Sequence, residues 1–305
     1  MSQGSSQPQS PIIAVIGATG RVGRAIGRLG DGVHLIGCAR HEPTGEESAS
    51  DLGYEQIHVL SRLDRSRLTE FIAPASAVID LCAFGAQDIE SLNASVDVGG
   101  PRHLVIASSL AERPLESWAD EEHETWDDEP ISGGEYGQGK RLVRQIAERY
   151  WLEAGRSVTT VLLPQIVAPD DAHAAELAYL REARSSGMVT LSGSGEQRPC
   201  VATTAQAAAA LLGLALSTEA SESVARYQLA PRASPKLSEL VEALLQGAQV
   251  KARLQGGRSG RGPHSGASEV VDAARLRARM PQLDWSQSSV LRAYVELGQR
   301  LSDID

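Results

Sequence analysis

From Ile12 onward, short apolar runs alternate with amphipathic stretches of helix length. Runs at 12–16, 33–38, 57–60, 77–83, 104–107 and 158–163 predict six strands, and 21–29, 65–71, 86–98 and 136–151 predict the helices between them. The stretch 136–151 is the clearest, because Leu142, Val143, Ile146, Ala147 and Tyr150 recur at three- and four-residue steps and make one apolar face. Strands that alternate with helices feed crossover connections of a parallel sheet. The expected fold class is therefore α/β, a Rossmann-type doubly wound parallel sheet with a smaller C-terminal substrate lobe.

Beyond 163 the alternation weakens. Segments 203–216, 237–245 and 287–301 predict helices and 226–229 a further strand, while the Gly-, Ser- and Pro-rich stretches 185–200 and 255–268 predict loops. The organisation expected is a loose tail over 1–10, a dinucleotide-binding domain over 11–168 to which 200–230 returns, and a lobe built from 169–199 and 231–305. No internal repeat is visible.

The run Gly17-Ala18-Thr19-Gly20-Arg21-Val22-Gly23 follows the first strand and opens the first helix. In that context the first glycine permits the tight turn, the second lets backbone N–H groups approach a pyrophosphate, and the third permits close packing of helix on strand. At the end of the second strand, an acid would suit the free ribose hydroxyl of NAD and a base the 2′-phosphate of NADP. Arg40 stands there, with Arg21 on the turn as a second cation, so NADP(H) is the preferred cofactor and NAD(H) the alternative.

Tyr136-Gly137-Gln138-Gly139-Lys140 puts a phenol and an ammonium four positions apart, on one face of the helix that begins there. A lysine cation beside a phenol, helped by an oxidised nicotinamide, stabilises the phenolate and suits it to acid–base work. Gly137 and Gly139 are poor helix formers, a defect unless something approaches the backbone closely. Ser108 and Ser109 end the fifth strand, at the carboxyl edge where an open parallel sheet takes its ligand, and Ser109 is the first choice to hold a substrate oxygen.

The chain has 305 residues and a formal net charge of -10, with its bases scattered among acids, so a nucleic-acid backbone would meet repulsion over most of the surface. Cys38, Cys82 and Cys200 lack metal-ligand or pairing spacing and suit a reducing, cytoplasmic setting. No apolar run is long enough to cross a bilayer. Asp170, Asp171 and His173 read as a loop capping a helix rather than as metal ligands, and His123 as part of a solvated acidic run over 119–129. Trp118 and Trp126 either line a substrate mouth or simply pack.

At the glycine turn, Ser108-Ser109, Tyr136 with Lys140, and Leu163-Pro164 before Gln165-Ile166-Val167, the sequence resembles the extended short-chain dehydrogenase/reductase superfamily, and in particular its nucleotide-sugar epimerase and dehydratase group. The resemblance runs roughly from Ile12 to Leu245 and includes Gly193-Ser194-Gly195-Glu196-Gln197-Arg198, similar to a substrate-lobe loop of that family. It implies a bound nicotinamide cofactor, Tyr136 as acid or base, Lys140 on the ribose and Ser109 on the reacting oxygen. The cofactor surface is expected to comprise Gly17, Thr19, Gly20, Arg21, Val22, Gly23, Arg40, Ala83, Lys140 and Pro164.

Several of the departures concern the substrate side. Leu163 stands where the family often has Arg, Ser61 where an acid usually holds the adenine, and 201–205 lacks the usual His and Asp. The expected activity is an NAD(P)-dependent oxidoreductase or epimerase acting on a sugar nucleotide or related metabolite, without metal and compatible with a homodimer. The alternatives are a ketoreductase of a non-sugar metabolite and a non-catalytic NADP(H)-binding regulator.

Overall fold

The computed structural model describes residues 10–43, 47–96, 99–114, 118–119, 131, 133–169, 174–217, 223–257, 269 and 271–302. They group into two compact units, one within Met1–Glu112, Gly133–Val161 and Ala208–Arg226, the other within Arg113–Ser132, Leu162–Ala207 and Tyr227–Asp305.

In chain order the elements begin with β1 (Ile12–Ile16), α1 (Arg21–Leu29), β2 (His34–Ala39), β3 (Gln56–Val59), α2 (Arg65–Ile72), β4 (Ala77–Asp80), α3 (Ala86–Ser95) and β5 (His103–Ser109). A 3₁₀ turn, Leu110–Glu112, precedes α4 (Gly134–Glu153), β6 (Ser157–Leu163), β7 (Gln165–Val167), α5 (Ala174–Ser186), β8 (Met188–Ser192) and β9 (Val201–Thr203). Then come α6 (Thr204–Leu216), β10 (Val224–Gln228), α7 (Leu237–Gly247), β11 (Arg253–Gly257), α8 (Ala274–Arg279) and α9 (Gln287–Arg300).

The main sheet has seven strands in the order β10-β6-β5-β4-β1-β2-β3. Strands β3, β2, β1, β4 and β5 pair in parallel. The order reverses between β1 and β4, and a reversal of that kind opens a crevice beyond the carboxyl ends of the strands. In the first unit the core joins Ile16, Val78, Leu104 and Ile106 of the sheet to Leu68, Ile89, Val143, Ala147 and Trp151 of the helices, all fully or almost fully buried. Burying each of the Ile, Val and Leu side chains among them contributes about 1.5–3 kcal/mol. Trp151 also satisfies its one polar atom, since its Nε1–H donates to Asn93 Oδ1 at 3.0 Å.

The second unit has its own core, made by Tyr179, Leu180 and Ala183 of α5, Leu240, Val241 and Leu244 of α7, and Val290, Tyr294 and Leu297 of α9. Strands β7 and β9 form one parallel pair and β8 and β11 another. The stretches expected as loops at 185–200 and 255–268 thus contain β8 and the end of β11, and 258–268 lies outside the described residues. Their glycines hid the strands. A Cβ at Gly257 would sit 2.7 Å from Thr190 Cγ2 and one at Gly256 2.7 Å from the Gly193 carbonyl, so close backbone approach, not flexibility, accounts for them.

Helix α4 also departs from expectation. Val143, Ala147 and Trp151 face the core, but Leu142 and Tyr150 are exposed, and the buried face is completed by Lys140, Arg141, Arg144 and Glu148. Apolar periodicity alone cannot detect a helix side that buries charge. Among the described residues no helix is long and apolar enough to cross a membrane.

Candidate active site

The glycine turn closes tightly on the end of β2. Gly17 has φ +95°, a left-handed conformation suited to glycine, and the N–H groups of Gly17 and Ala18 both donate to the Cys38 carbonyl, at 2.9 and 3.1 Å. Gly20 is exposed and starts α1 with no side-chain cap, so the positive end of the helix is presented by backbone alone. Gly23 is buried, and a Cβ there would lie 2.3 Å from the Gly17 carbonyl oxygen. Thr19 accepts from Arg24 Nε at 3.0 Å through its carbonyl, Arg21 and Val22 are half-buried, and Arg40 is exposed immediately after β2.

At the carboxyl end of β5, Ser108 and Ser109 part as neighbouring strand residues must. Ser108 is buried and its hydroxyl donates to Glu112 Oε2 at 2.8 Å. Ser109 is half-buried; its Oγ accepts from the Ala111 N–H at 3.2 Å, and its hydroxyl hydrogen-bonds the phenol of Tyr136. Burial pushes the Tyr136 phenol above its ordinary value, and the Ser109 hydrogen bond opposes that rise. The expectation of a phenol lowered by its lysine is not met by these residues alone, because the Lys140 ammonium turns elsewhere.

Lys140 is buried, 3% exposed, and its Nζ donates to the carbonyls of Ala83 at 2.9 Å and Ala107 at 3.1 Å. An ammonium has three donors, and among the described residues two of them are used. Nζ also lies 4.4 Å from the centre of the Phe84 ring and 6.0 Å from that of Tyr136. Burial pushes its pKa down, while Asp80, Cys82 and Glu112 hold it up and Arg62 adds to the fall. The chain has only three lysines, Lys140, Lys236 and Lys251, among 29 basic residues, so a buried lysine here stands out against a marked preference for arginine. Gly139 is explained as well: a Cβ would meet the Phe84 carbonyl oxygen at 2.3 Å. Gly137, one turn earlier, is buried.

Sequence reasoning missed the acids and bases that hold this arrangement. The Arg62 guanidinium meets the fully buried Asp80 through two contacts, Nη2–Oδ2 at 2.7 Å and Nη1–Oδ1 at 3.3 Å, and donates to the Asp88 carbonyl at 2.8 Å. Asp88 Oδ2 in turn accepts the Phe84 N–H at 2.8 Å, which fixes the loop carrying the exposed Phe84 ring beside Tyr136, centroids 6.3 Å apart. An acid inside the apolar run 77–83 was the available sign, because a buried carboxylate requires a partner. The Ser61 hydroxyl accepts from the Leu63 N–H at 3.2 Å and its carbonyl from the Asp64 N–H at 2.9 Å, while its neighbour Arg62 turns inward.

The structure thus gathers Ser109, Tyr136, Lys140 and Ala83 and sets the Gly17–Gly23 turn in the same unit, where the Gly17 Cβ direction meets Leu81 and Cys82. Pro164 lies between β6 and β7, within the second unit. Cys38, Cys82 and Cys200 are free thiols, and Cys82 falls beyond the end of β4 rather than within it. Burial pushes Cys38 up to about 12 and Cys82 up to about 11, so neither is a ready nucleophile. Among the described residues no cluster could hold a metal ion. Trp118 Nε1 donates to the Arg113 carbonyl at 3.3 Å within the second unit. His123, Trp126, Asp170, Asp171 and His173 lie outside the described residues.

No family model matches the sequence, and no curated protein matches it. Solved structures do. A UDP-N-acetylglucosamine 4-epimerase from Bacillus cereus is 17% identical with a TM-score of 0.71, over 95% of this chain and 100% of that one. A UDP-glucose 4-epimerase is 12% identical with a TM-score of 0.73, over 96% and 98%. A short-chain dehydrogenase/reductase superfamily protein from Agrobacterium tumefaciens, solved with bound NAD, is 19% identical with a TM-score of 0.69, over 95% and 98%. On this evidence the chain has the fold that nucleotide-sugar 4-epimerases share with short-chain dehydrogenases/reductases.

Proposed function

We propose that this protein is an NAD(P)-dependent oxidoreductase or epimerase of the extended short-chain type, acting at a carbinol or carbonyl carbon. One observation carries the reading: a hydroxyl, a phenol and a buried ammonium, Ser109, Tyr136 and Lys140, meet at the carboxyl edge of a Rossmann sheet. The cofactor supplies or accepts the hydride. The exposed turn at Gly20 and the uncapped start of α1 suit its pyrophosphate, and the remaining Lys140 donor suits a ribose hydroxyl. Arg40 and Arg21 favour the 2′-phosphate of NADP(H), with NAD(H) the alternative suggested by the bound NAD of the Agrobacterium tumefaciens protein.

The raised pKa of Tyr136 keeps the phenol protonated at neutral pH, which equips it first as an acid. In the reductive direction Tyr136 gives its proton to the carbonyl oxygen as the carbon is reduced, and Ser109 donates a hydrogen bond to the same oxygen. The reverse reaction requires the phenolate, which the positive charge of an oxidised nicotinamide favours.

The solved relatives favour a sugar nucleotide as substrate, since one is titled as a UDP-N-acetylglucosamine 4-epimerase and another as a UDP-glucose 4-epimerase. A second reading, a ketoreductase of a non-sugar metabolite, is favoured by the exposed aromatic pair Phe84 and Tyr136 at 6.3 Å, an apolar ledge beside the reacting position. Thermal-shift screening against UDP-sugars separates the two, because stabilisation by any of them disfavours the ketoreductase. The activity test follows absorbance of reduced NADPH and NADH with candidate carbonyl substrates. Tyr136→Phe is expected to lose about 10²–10⁴-fold in rate while still binding cofactor. A variant as active as the wild type removes Tyr136 from the chemistry, whereas cofactor binding by the wild type without turnover of any substrate overturns the reading in favour of a cofactor-binding regulator.

A further inference from the structure

We infer that Glu112, a residue outside the acid–base set, is its positioning residue: a buried acid that ties the Ser109 strand end to the Tyr136 helix. The inference rests on the reading above for its catalytic meaning, but its physical content concerns only the first unit.

Glu112 closes the 3₁₀ turn three residues after Ser109 and is fully buried. Its side chain accepts from Ser108 Oγ at 2.8 Å and from Arg144 Nε at 2.7 Å, and its carbonyl accepts from Arg141 Nε at 3.1 Å. Arg141 and Arg144 stand one and four residues after Lys140, so one acid grips both the strand end that carries Ser109 and the helix that carries the phenol and ammonium. The backbone adds a third tie, Gly133 N–H to the Ala111 carbonyl at 3.0 Å. The charges continue outward: Arg144 also contacts Glu148 at 3.2 Å, and Glu148 is held by Arg226 at 2.6 Å.

A core helix could have been packed with apolar residues here at no loss of stability, since buried ion pairs rarely outperform well-packed side chains. Geometry and charge give the pair a use. Burial drives the Glu112 carboxyl up and Glu148 adds to that rise, while the Arg144 guanidinium and Ser108 hydroxyl oppose it; with Oε1 against a guanidinium at 2.7 Å and Oε2 accepting a hydroxyl at 2.8 Å, the contacts are those of a carboxylate. The charged or titratable groups bearing on Lys140 are Asp80 and Cys82 from the β4 end, Arg62 after β3, Glu112, and the neighbouring Tyr136 phenol. Asp80 is already bound by Arg62. Glu112 is thus a second acid that opposes the loss of the Lys140 proton.

With only three lysines in the chain, ¹³Cε-lysine NMR resolves Lys140 from Lys236 and Lys251 by comparison with Lys140→Met. Glu112→Gln, which keeps the acceptor for Ser108 but removes the charge, is expected to lower the Lys140 titration midpoint by about one pH unit. Glu148→Gln, in the same network but about two turns of α4 beyond Lys140, is expected to leave it in place. An unchanged midpoint in Glu112→Gln, or an equal fall in Glu148→Gln, overturns the inference. Should Glu112→Gln not fold, the charge-balanced pair Glu112→Gln with Arg144→Gln leaves Glu148 on Arg226 and is expected to give a smaller fall of the same sign; no fall overturns the inference. Binding of NADPH and NADH to the wild type, followed by nicotinamide fluorescence, is measured alongside. Its absence refutes the proposed function while the lysine titration still decides the coupling.

Discussion

Two glycines of one turn should respond to the same added methyl group in opposite ways. At Gly23 a Cβ would stand 2.3 Å from the Gly17 oxygen and 2.6 Å from the Ala18 oxygen, when real Cβ contacts essentially never fall below 3.0 Å. Both obstacles are backbone, so helix and turn must separate by at least about 0.7 Å. Overpacking of that kind costs about 3 kcal/mol, the upper part of its usual range, and the better helix propensity of alanine returns about 1 kcal/mol. Gly23→Ala should therefore lose about 2 kcal/mol, a fall in Tm of about 4–8 °C. At Gly20 the φ of -74° suits any residue, and a Cβ would meet only the Gly17 oxygen at 3.3 Å. Gly20→Ala should cost no more than about 1 kcal/mol of stability yet weaken dinucleotide binding about tenfold, because the methyl group occupies the face a pyrophosphate must approach. Thermal unfolding and nicotinamide-fluorescence titration read both variants. Gly23→Ala melting with the wild type would refute the packing argument, and Gly20→Ala binding with wild-type affinity would refute the placement of the phosphates.

Ser109→Ala removes the hydrogen bond that opposes the rise of the Tyr136 phenol, so its titration should move further up; phenolate absorbance, corrected with Tyr136→Phe, measures it, and a downward move contradicts the contact. Arg40→Ala should weaken NADPH much more than NADH in a binding titration, and equal losses would remove Arg40 as the 2′-phosphate partner. Burial depresses the pKa of His103, so the stability it contributes is present above its ordinary 6.5 and is lost as pH falls through the lower folded value. Urea unfolding at about pH 7.5 and about pH 5 should therefore show a smaller acid loss in His103→Gln than in the wild type, and identical losses would refute this.

Local chemistry made much of this protein legible from its sequence. The first strand, the turn and α1 followed from an apolar run, three glycines and a helix-length amphipathic stretch, because each signal acts over a few neighbouring residues. The Tyr136 and Lys140 spacing was equally plain, since a helix sets which residues share a side. Other features depend on groups far apart in the chain. Only the folded arrangement turned Ser108 to Glu112 and Ser109 to Tyr136, sent the Lys140 ammonium to carbonyls of two different strand ends, and drew Arg62 onto Asp80. Arg144 and Glu148 carry in sequence the mark of a solvated helix side, yet they are buried, because their partners Glu112 and Arg226 come from segments 32 and 78 residues away. Charge pairing over such distances is a property of topology, which no local pattern encodes.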